Sequence, residues 1–531
     1  MRIQEYGKIS VAVLMAASLI AGCSNSSDPA SNEASESNGG QKTVSFLWNG
    51  KFSSKIPELS GYGDVEAYKE IQKRTQTTID FQDNDTSNLS QFNIMLASGT
   101  YPDIIYVPGG YPGGVAKLVE DGVAIRLNEL IDQYAPNYKK LLDEHPEIKK
   151  QVMLDDGTIA KFPQVNLDLR RNAWSGLMIR QDWLDQVGLP MPSTIDEWYA
   201  ALKAFKDNDM NGNGDKEDEI PLGDQNGMGS VSAFSTAYGL LTTFQIHPQT
   251  GKVTYGPYDP AFKDYLATMR KWYEEGLIDS EFAATDKKGF EAKFSNNVVG
   301  AYGGTITGIN TYKNQLQGTL PAFKLVGTAP PIGPAGKDYS SAGQLAQYVP
   351  LEGAVVSSQA KDLETVIKLL DFMIGPEGSD LQNWGIEGKS YVVENGKKKF
   401  SDAVMNDPTY ESRVAVSRYA YPTSGMVKVM SYDAWAAFEL QYPEAGEANE
   451  RWFNADKSLL LPPLLFKGEE SQEISNIMSE ADTYMKEMVL KFIMGNEPLD
   501  KFDAYLGTLK KMNIERAIAI HQAAYDRYQS R

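Results

Sequence analysis

The sequence predicts an α/β chain of more than one domain. Short apolar strands alternate with amphipathic helices over residues 43–122, and a second such set begins near Trp174. The 531-residue length exceeds the usual size of one domain.

The first segment is not part of that fold. Residues 9–23, ISVAVLMAASLIAGC, follow Arg2 and Lys8 and precede a polar stretch. A short apolar run behind a cationic start is a secretory signal, and it is too short for a bilayer crossing, which needs about 20 residues. Removal of residues 1–22 leaves 509 residues with Cys23 first. Residues 23–42, rich in Ser, Asn, Gly and Glu, are expected to form a flexible tether.

The body starts at Thr43. VSFLW (44–48), TTIDFQ (77–82) and YPDIIYV (101–107) read as strands. Helices are expected at 65–75, 90–99 and 113–122, the middle one stopped by Gly99. In the second set GLMIR (176–180) is a strand, and 180–206 holds two helices around a Gly-Pro break. Thr194 and Glu197 are spaced as a capping box. Ile195, Trp198, Tyr199, Leu202 and Phe205 then share one helical face, which makes Trp198 a core residue; Trp272 reads the same way. Later helices are expected at 261–275, 361–374, 472–491 and 499–527. NNVVGAYGG (296–304) and GAVVSS (353–358) read as strands carrying the chain between lobes.

Charge and composition narrow the function. A net charge of −19 disfavours nucleic acid, whose phosphates repel it. Cys23 is the sole cysteine, so there is neither an internal disulfide nor a cysteine metal site. No G-x-S-x-G or H-E-x-x-H motif occurs. Gly388-Lys389-Ser390 mimics the end of a P-loop, but Asn383 stands where its first glycine belongs. His145, His247 and His521 read as surface residues.

The sharpest motif is DNDMNGNGDKEDE, residues 207–219. Counted from Asp207, side-chain oxygens fall at Asp207, Asp209, Asn211, Asn213 and Asp215, with Gly212 in sixth place. An EF-hand loop supplies calcium ligands at alternate positions around such a glycine. Asp218 occupies the twelfth place and Glu219 comes one residue late, and Pro221 opposes a regular exiting helix. A calcium ion here would brace one lobe. The other resource is aromatic: Trp48 with Asn49, Trp174 and Trp384 lie where strands end or loops begin, as cleft residues of α/β lobes do.

Several phrases together give a resemblance. Ile20-Ala21-Gly22-Cys23 resembles a bacterial lipobox, in which the cysteine thiol carries the lipid. LASGTYPDII (96–105), IRQDWLDQVGLPMPSTIDEWYAALKAFK (179–206), NGNGDKEDEIPL (211–222), WYEEGLIDSEF (272–282) and WGIEGKSYVV (384–393) resemble the family 1 extracellular solute-binding proteins of ABC transporters, the sugar-binding lipoproteins of Bacillus and Paenibacillus type. The resemblance implies a two-lobed, type II periplasmic-binding-protein-like fold with crossover strands and a mostly helical C-terminal region. It implies lobe 1 from 43–170 and about 296–352, and lobe 2 from 171–295 and about 353–531. It implies a carbohydrate ligand, delivery to ABC permease subunits, and a lipid anchor at Cys23 on the outer face of the membrane, the receptor acting as a monomer. Calcium is often held by the acidic loop, which usually runs one residue shorter before its Asp-Glu. Trp384, Glu387 and Tyr391 match the W-G-I-E-G-K-x-Y phrase and gain a cleft-side role, joining Trp48, Asn49, Asp103 and Trp174 as expected ligand contacts. The competing functions are a lipid-anchored polysaccharide-degrading enzyme and a surface sugar sensor or adhesin.

Overall fold

Two four-stranded sheets organise the chain, and each is covered on both faces. The structure is a computed structural model that describes residues 41–48, 52, 55–83, 89–225, 227–422 and 426–531. The signal peptide, Cys23 and nearly all of the tether lie outside the described residues. In chain order the strands of the two sheets are β1 (Lys42–Leu47), β2 (Thr77–Gln82), β3 (Ile104–Val107), β4 (Ser175–Arg180), β5 (Ile220–Leu222), β6 (Val299–Thr305), β7 (Leu325–Gly327) and β8 (Gly353–Val356). The first sheet runs β8-β3-β1-β2 and the second β7-β4-β6-β5.

In the first sheet β1 is parallel to β2 and β3, and β8 is antiparallel to β3, with Gly353 opposite Val107. Side chains alternate between two layers, as the pleat requires. Phe46, Ile104, Tyr106, Ala354 and Val356 face a core with Val366, Ile367, Leu370 and Met373 of the helix Leu363–Ile374. Leu47, Ile105, Val107 and Val355 face Phe92, Val115 and Leu118 instead.

The second sheet repeats the plan. Leu177, Ile179, Leu222, Ala301 and Val326 meet the helices Ile195–Asp207, Phe262–Glu274 and Gly468–Ile493. Met178, Tyr302 and Leu325 meet the helices Ile306–Leu316 and Pro443–Asn454. The Thr194–Glu197 capping box forms as expected, and Trp198 and Trp272 are buried in the core.

Three expectations are corrected. The segments 296–304 and 353–358 do not carry the chain between lobes. The first becomes β6, paired along β4 from Ser175↔Thr305 to Ile179↔Ala301, and the second becomes β8 on β3. Residues 296–352 therefore begin in lobe 2, not lobe 1, and 353–384 return to lobe 1. The chain passes between lobes elsewhere: between β-bridged Val165 and β4, between β7 and β8, and between Val429 and the helix Pro443–Asn454. The expected helix 499–527 is two helices, Phe502–Lys511 and Ile514–Ser530, because Asn513 takes a left-handed φ of 65°. Among the described residues no helix is long and apolar enough to cross a membrane.

His521 is the third correction, being buried in the last helix. Its ring stacks on Phe244 with centroids 3.6 Å apart, and its Nδ1–H donates to the Ala517 carbonyl at 2.9 Å. Burial pushes its pKa down from 6.5 to about 4, against the weaker pull of that hydrogen bond. The unfolded chain binds the proton first as pH falls. The stability tied to neutral His521 is thus complete above pH 6.5 and is lost as pH drops from about 6.5 to about 4, about 3 kcal/mol in all. His521→Phe should flatten the fall in urea-unfolding free energy across that window; an unchanged slope would show that the histidine titrates normally.

Candidate ligand cleft

Strand direction fixes which ends of the two sheets can meet a ligand, since α/β clefts lie beyond the carboxyl ends of strands. On the first sheet that end carries Trp48, Asp83 and the loop after β3, Pro108–Gly114. On the second, β5 is parallel to β6 while β4 is antiparallel to both β6 and β7. One edge therefore gathers the start of β4 at Trp174, the loop after β5 and the end of β6 at Thr305. The crossing segments are tied to one another. Asn166 N–H donates to Tyr348 O at 2.8 Å, Asn172 donates to Gln344 O and Gln347 O at 2.9 and 2.8 Å, and Asn449 donates to Arg170 O and Ala173 O at 2.7 and 2.9 Å.

Trp174 stands at this edge directly after the first crossing. It is 44% exposed, whereas the other seven tryptophans are 5% exposed or less. Its carbonyl accepts from Ile306 N–H at 2.9 Å, which fixes its backbone to the end of β6. A polar cluster adjoins that point. Thr307 donates to buried Glu439 at 3.1 Å, and Arg413 pairs with the same carboxylate. Arg171 is half-buried, and desolvation lowers its pKa to about 10 against the opposing pull of Glu439. Arg170 lies 4.2 Å over the Tyr432 ring and grips Asp168, whose carboxyl it holds below the usual range. None of these charged residues was singled out from sequence. The signal was Arg170-Arg171 just ahead of an aromatic at a strand start, but Glu439, which acts on Arg171 from more than two hundred residues away, gave no local trace.

Four of the expected ligand contacts have their side chains engaged within the fold. Trp48 is buried among Phe46, Tyr62, Tyr68 and Phe81, with centroids 4.8–5.1 Å away. Asp103 sits at the amino end of β3, opposite the cleft edge. Its Oδ2 accepts from Ser45 N–H and Oγ at 2.9 and 2.7 Å, and its own N–H donates to that hydroxyl, stitching β3 to β1. Trp384 stacks on Phe400 at 4.7 Å and shares a small core with Tyr391, whose phenol burial shifts upward. These two aromatics are held by packing because Gly385 and Gly388, both at positive φ, shape a turn closed by Gly388 N–H to Tyr391 O at 2.8 Å. Glu387 is exposed on that turn. Asn49 lies outside the described residues.

The acidic loop is framed on Asp209, not Asp207. Asp207 ends its helix and takes Lys203 at 3.0 Å. Asp209 Oδ1 accepts from Gly212 and Asn213 N–H at 2.7 and 3.2 Å, and its Oδ2 from Gly214 N–H at 2.8 Å. Counting from Asp209 puts Gly214, at φ 91°, in sixth place and Glu219 in eleventh. Asn211 and Asn213 donate to Asp218 at 3.1 and 2.7 Å, while Asp215 caps Glu217 N–H at 3.0 Å. Glu219 is buried. Its Oε1 accepts from Met210 and Asn211 N–H at 2.8 and 3.3 Å, whereas Oε2 has no hydrogen-bond partner among the described residues, and burial raises its pKa. Among the described residues no three His, Cys, Asp or Glu side chains are gathered as a metal site. Hydrogen bonds within the loop tie Asp209, Asn211, Asn213, Asp218 and Glu219 to one another or to the loop backbone, and their side chains offer oxygen, the donor a hard cation takes.

Known proteins align with this architecture. The sequence is 26% identical over 486 residues to the fructooligosaccharide ABC transporter substrate-binding protein FusA of Streptococcus pneumoniae, covering 87% of this chain and 86% of the relative. An EF-hand mutant of FusA, solved in complex with fructo-nystose, matches with a TM-score of 0.68 at 24% identity over 92% of this chain and all of that one. Lipoprotein LipO of Bacillus subtilis is 29% identical over 400 residues, 73% of this chain and 74% of the relative. The alginate-binding protein AlgQ2, solved without calcium ion, matches with a TM-score of 0.69 at 25% identity over 93% of this chain and all of that one. These neighbours share the two-lobed solute-binding fold. The model of the bacterial extracellular solute-binding proteins matches residues 59–380, more than half of the sequence, and the chain belongs to that family.

Proposed function

We propose that this chain is a lipid-anchored surface receptor that holds an oligosaccharide between its lobes and hands it to the permease of an ABC importer. The observation that carries this reading is Trp174, the one tryptophan exposed, set at the cleft edge of the second sheet beside a polar cluster. A flat ring stacks on the apolar face of a sugar, and convergent polar groups meet its hydroxyls. FusA, named for fructooligosaccharide, supports the saccharide class. The role is binding without bond cleavage. Closure of the lobes around the ligand presents the loaded form to the membrane subunits, as in other hinge receptors. Anchoring rests on the lipobox cysteine Cys23, and LipO, a relative named as a lipoprotein, supports it.

The reading includes calcium in the loop 209–219. Asp209, Asn211, Asn213, Asp218 and Glu219 would hold it, with the asparagine amides turned to present oxygen. Calcium would supply the positive charge that buried Glu219 otherwise lacks, bracing the turn between a helix and β5. The FusA EF-hand supports the assignment.

Trp174→Ala should weaken saccharide binding by about tenfold or more in calorimetry, the scale of a lost stacking platform together with its hydrophobic contact. Equal affinity would remove Trp174 from the site. Release of new reducing ends from any bound glycan would favour the enzyme instead. Chelation by EGTA should lower the melting temperature of the wild type, and Asp207→Asn should respond as the wild type does while Glu219→Gln should lose the response. A shift that persists in Glu219→Gln would place the ion elsewhere. Cys23→Ser should keep its saccharide affinity and lose membrane retention on cell fractionation.

A further inference from the structure

We propose that residues 527–531, at the end of the last helix, are a bolt that holds the two lobes against each other before any ligand arrives. This goes beyond the receptor reading, and its first measurement needs no saccharide.

The helix Ile514–Ser530 belongs to lobe 2, where Ile514 and Ala517 join the core of the second sheet. Its last turn reaches lobe 1. Arg527 Nε meets Asp155 Oδ2 at 2.5 Å, and its two Nη groups donate to the oxygens of Glu470 at 3.1 and 2.6 Å. Glu470 stands in the first turn of the lobe 2 helix Gly468–Ile493, so this one side chain spans the lobes. Arg531 meets the other Asp155 oxygen at 2.5 Å and donates to Lys150 O at 3.1 Å. Lys150 in turn donates to Gln529 O at 3.4 Å and lies over the Tyr528 ring. Asp155 and Lys150 belong to lobe 1, whose core holds Val152 and Ile159 on either side of Asp155 in sequence.

Two features set these contacts apart from an ordinary surface ion pair, which contributes little. The first is a network around one carboxylate, in which the Arg531 side chain is only 5% exposed. Charge-assisted bonds sheltered from bulk water are stronger and less screened by salt. The second is position. Gln151, next to Lys150, donates to Ala346 O at 3.2 Å and accepts from Val349 N–H at 2.9 Å. One short stretch of lobe 1 is therefore held both by the second crossing and by the last helix. A swing of lobe 2 about the crossings pulls directly on the Asp155 pairs.

The arrangement so held has the lobes in contact. A side chain at Gly468 of lobe 2 would run into Glu120 and Lys117 of lobe 1. The Pro108–Gly114 loop of lobe 1 and the segment 464–475 of lobe 2 line a single groove. A ligand held by the closed arrangement has an apparent affinity proportional to the closed fraction. The bolt thus raises affinity without touching the ligand.

The test is the distance between spin labels on Asp121→Cys of lobe 1 and Gln472→Cys of lobe 2, both exposed positions beside the contact, in a Cys23→Ser chain that has no other thiol. Without ligand, the chain with an intact bolt should give one narrow distance. Asp155→Asn, which keeps the side chain's size and removes its charge, should add a second, longer distance, and Arg531→Gln should act alike. In calorimetry with a fructooligosaccharide and an oligogalacturonide, whichever binds should lose affinity in both variants by the factor by which the short distance loses population. An unchanged distance in both variants overturns the bolt. A longer distance with unchanged affinity overturns the identification of the bolted arrangement with the one that holds ligand. Failure of either saccharide to bind the intact chain counts against the receptor reading, and the label distances then decide the bolt alone.

Discussion

A sheet packed on both faces can meet a ligand only at its ends. That constraint governs the rest of this molecule. β3 and β8 are buried at every position, and alternate side chains of β1, β3 and β8 serve two separate cores. No strand residue in the middle of either sheet is available for chemistry. Recognition is left to strand ends, to the loops that follow them and to the segments that cross between lobes. The same constraint explains why an aromatic residue at a strand end has two fates. Trp48 sits one residue beyond β1 and turns inward to close the core, while Trp174 sits one residue before β4 and stays out.

The crossings carry most of the buried polar work. Asn172 and Asn449 spend their amides on backbone carbonyls of neighbouring segments, and Lys428 donates to Gln382 O and Tyr421 O at 3.2 and 2.7 Å from full burial. A buried polar group with a poorly placed partner costs several kcal/mol, and a buried charge costs more. Such groups add little net stability, but they penalise every arrangement of the crossings except the one that satisfies them. Glu439 belongs to this set: its carboxylate is shared by Thr307 near the end of β6 and by Arg413. Burial drives the Arg171 and Lys428 pKa values downward, a measure of how little water reaches this junction.

What was legible in the sequence was local. The capping box of Thr194 and Glu197, the apolar face Trp198–Leu202–Phe205 and the strand Thr77–Gln82 are set by residues within one turn or one strand, and they stand where the pattern put them. Sheet membership was not legible. Residues 299–305 and 353–356 look alike as apolar strands, and nothing within them says that their partners are β4 and β3 respectively, because pairing over more than a hundred residues is decided by tertiary packing. The acidic loop shows a finer limit. Acids recur at 207, 209 and 215, so composition allows two frames, and only the fold shows Asp207 spent on Lys203. Trp384 and His521 are covered for one reason. Each sits on a terminal or connecting segment that would be exposed alone but is covered by a distant element, Phe400 in one case and Phe244 in the other.

The three crossings have a mechanical consequence. One tether between two bodies leaves them free to tumble, and two leave twisting and rocking. Three connectors, laced by the asparagine amides, favour a hinge swing over other relative motions. The state of the receptor then reduces to one angle. A partner touching one spot on each lobe could measure that angle as a distance, without ever contacting the ligand that sets it.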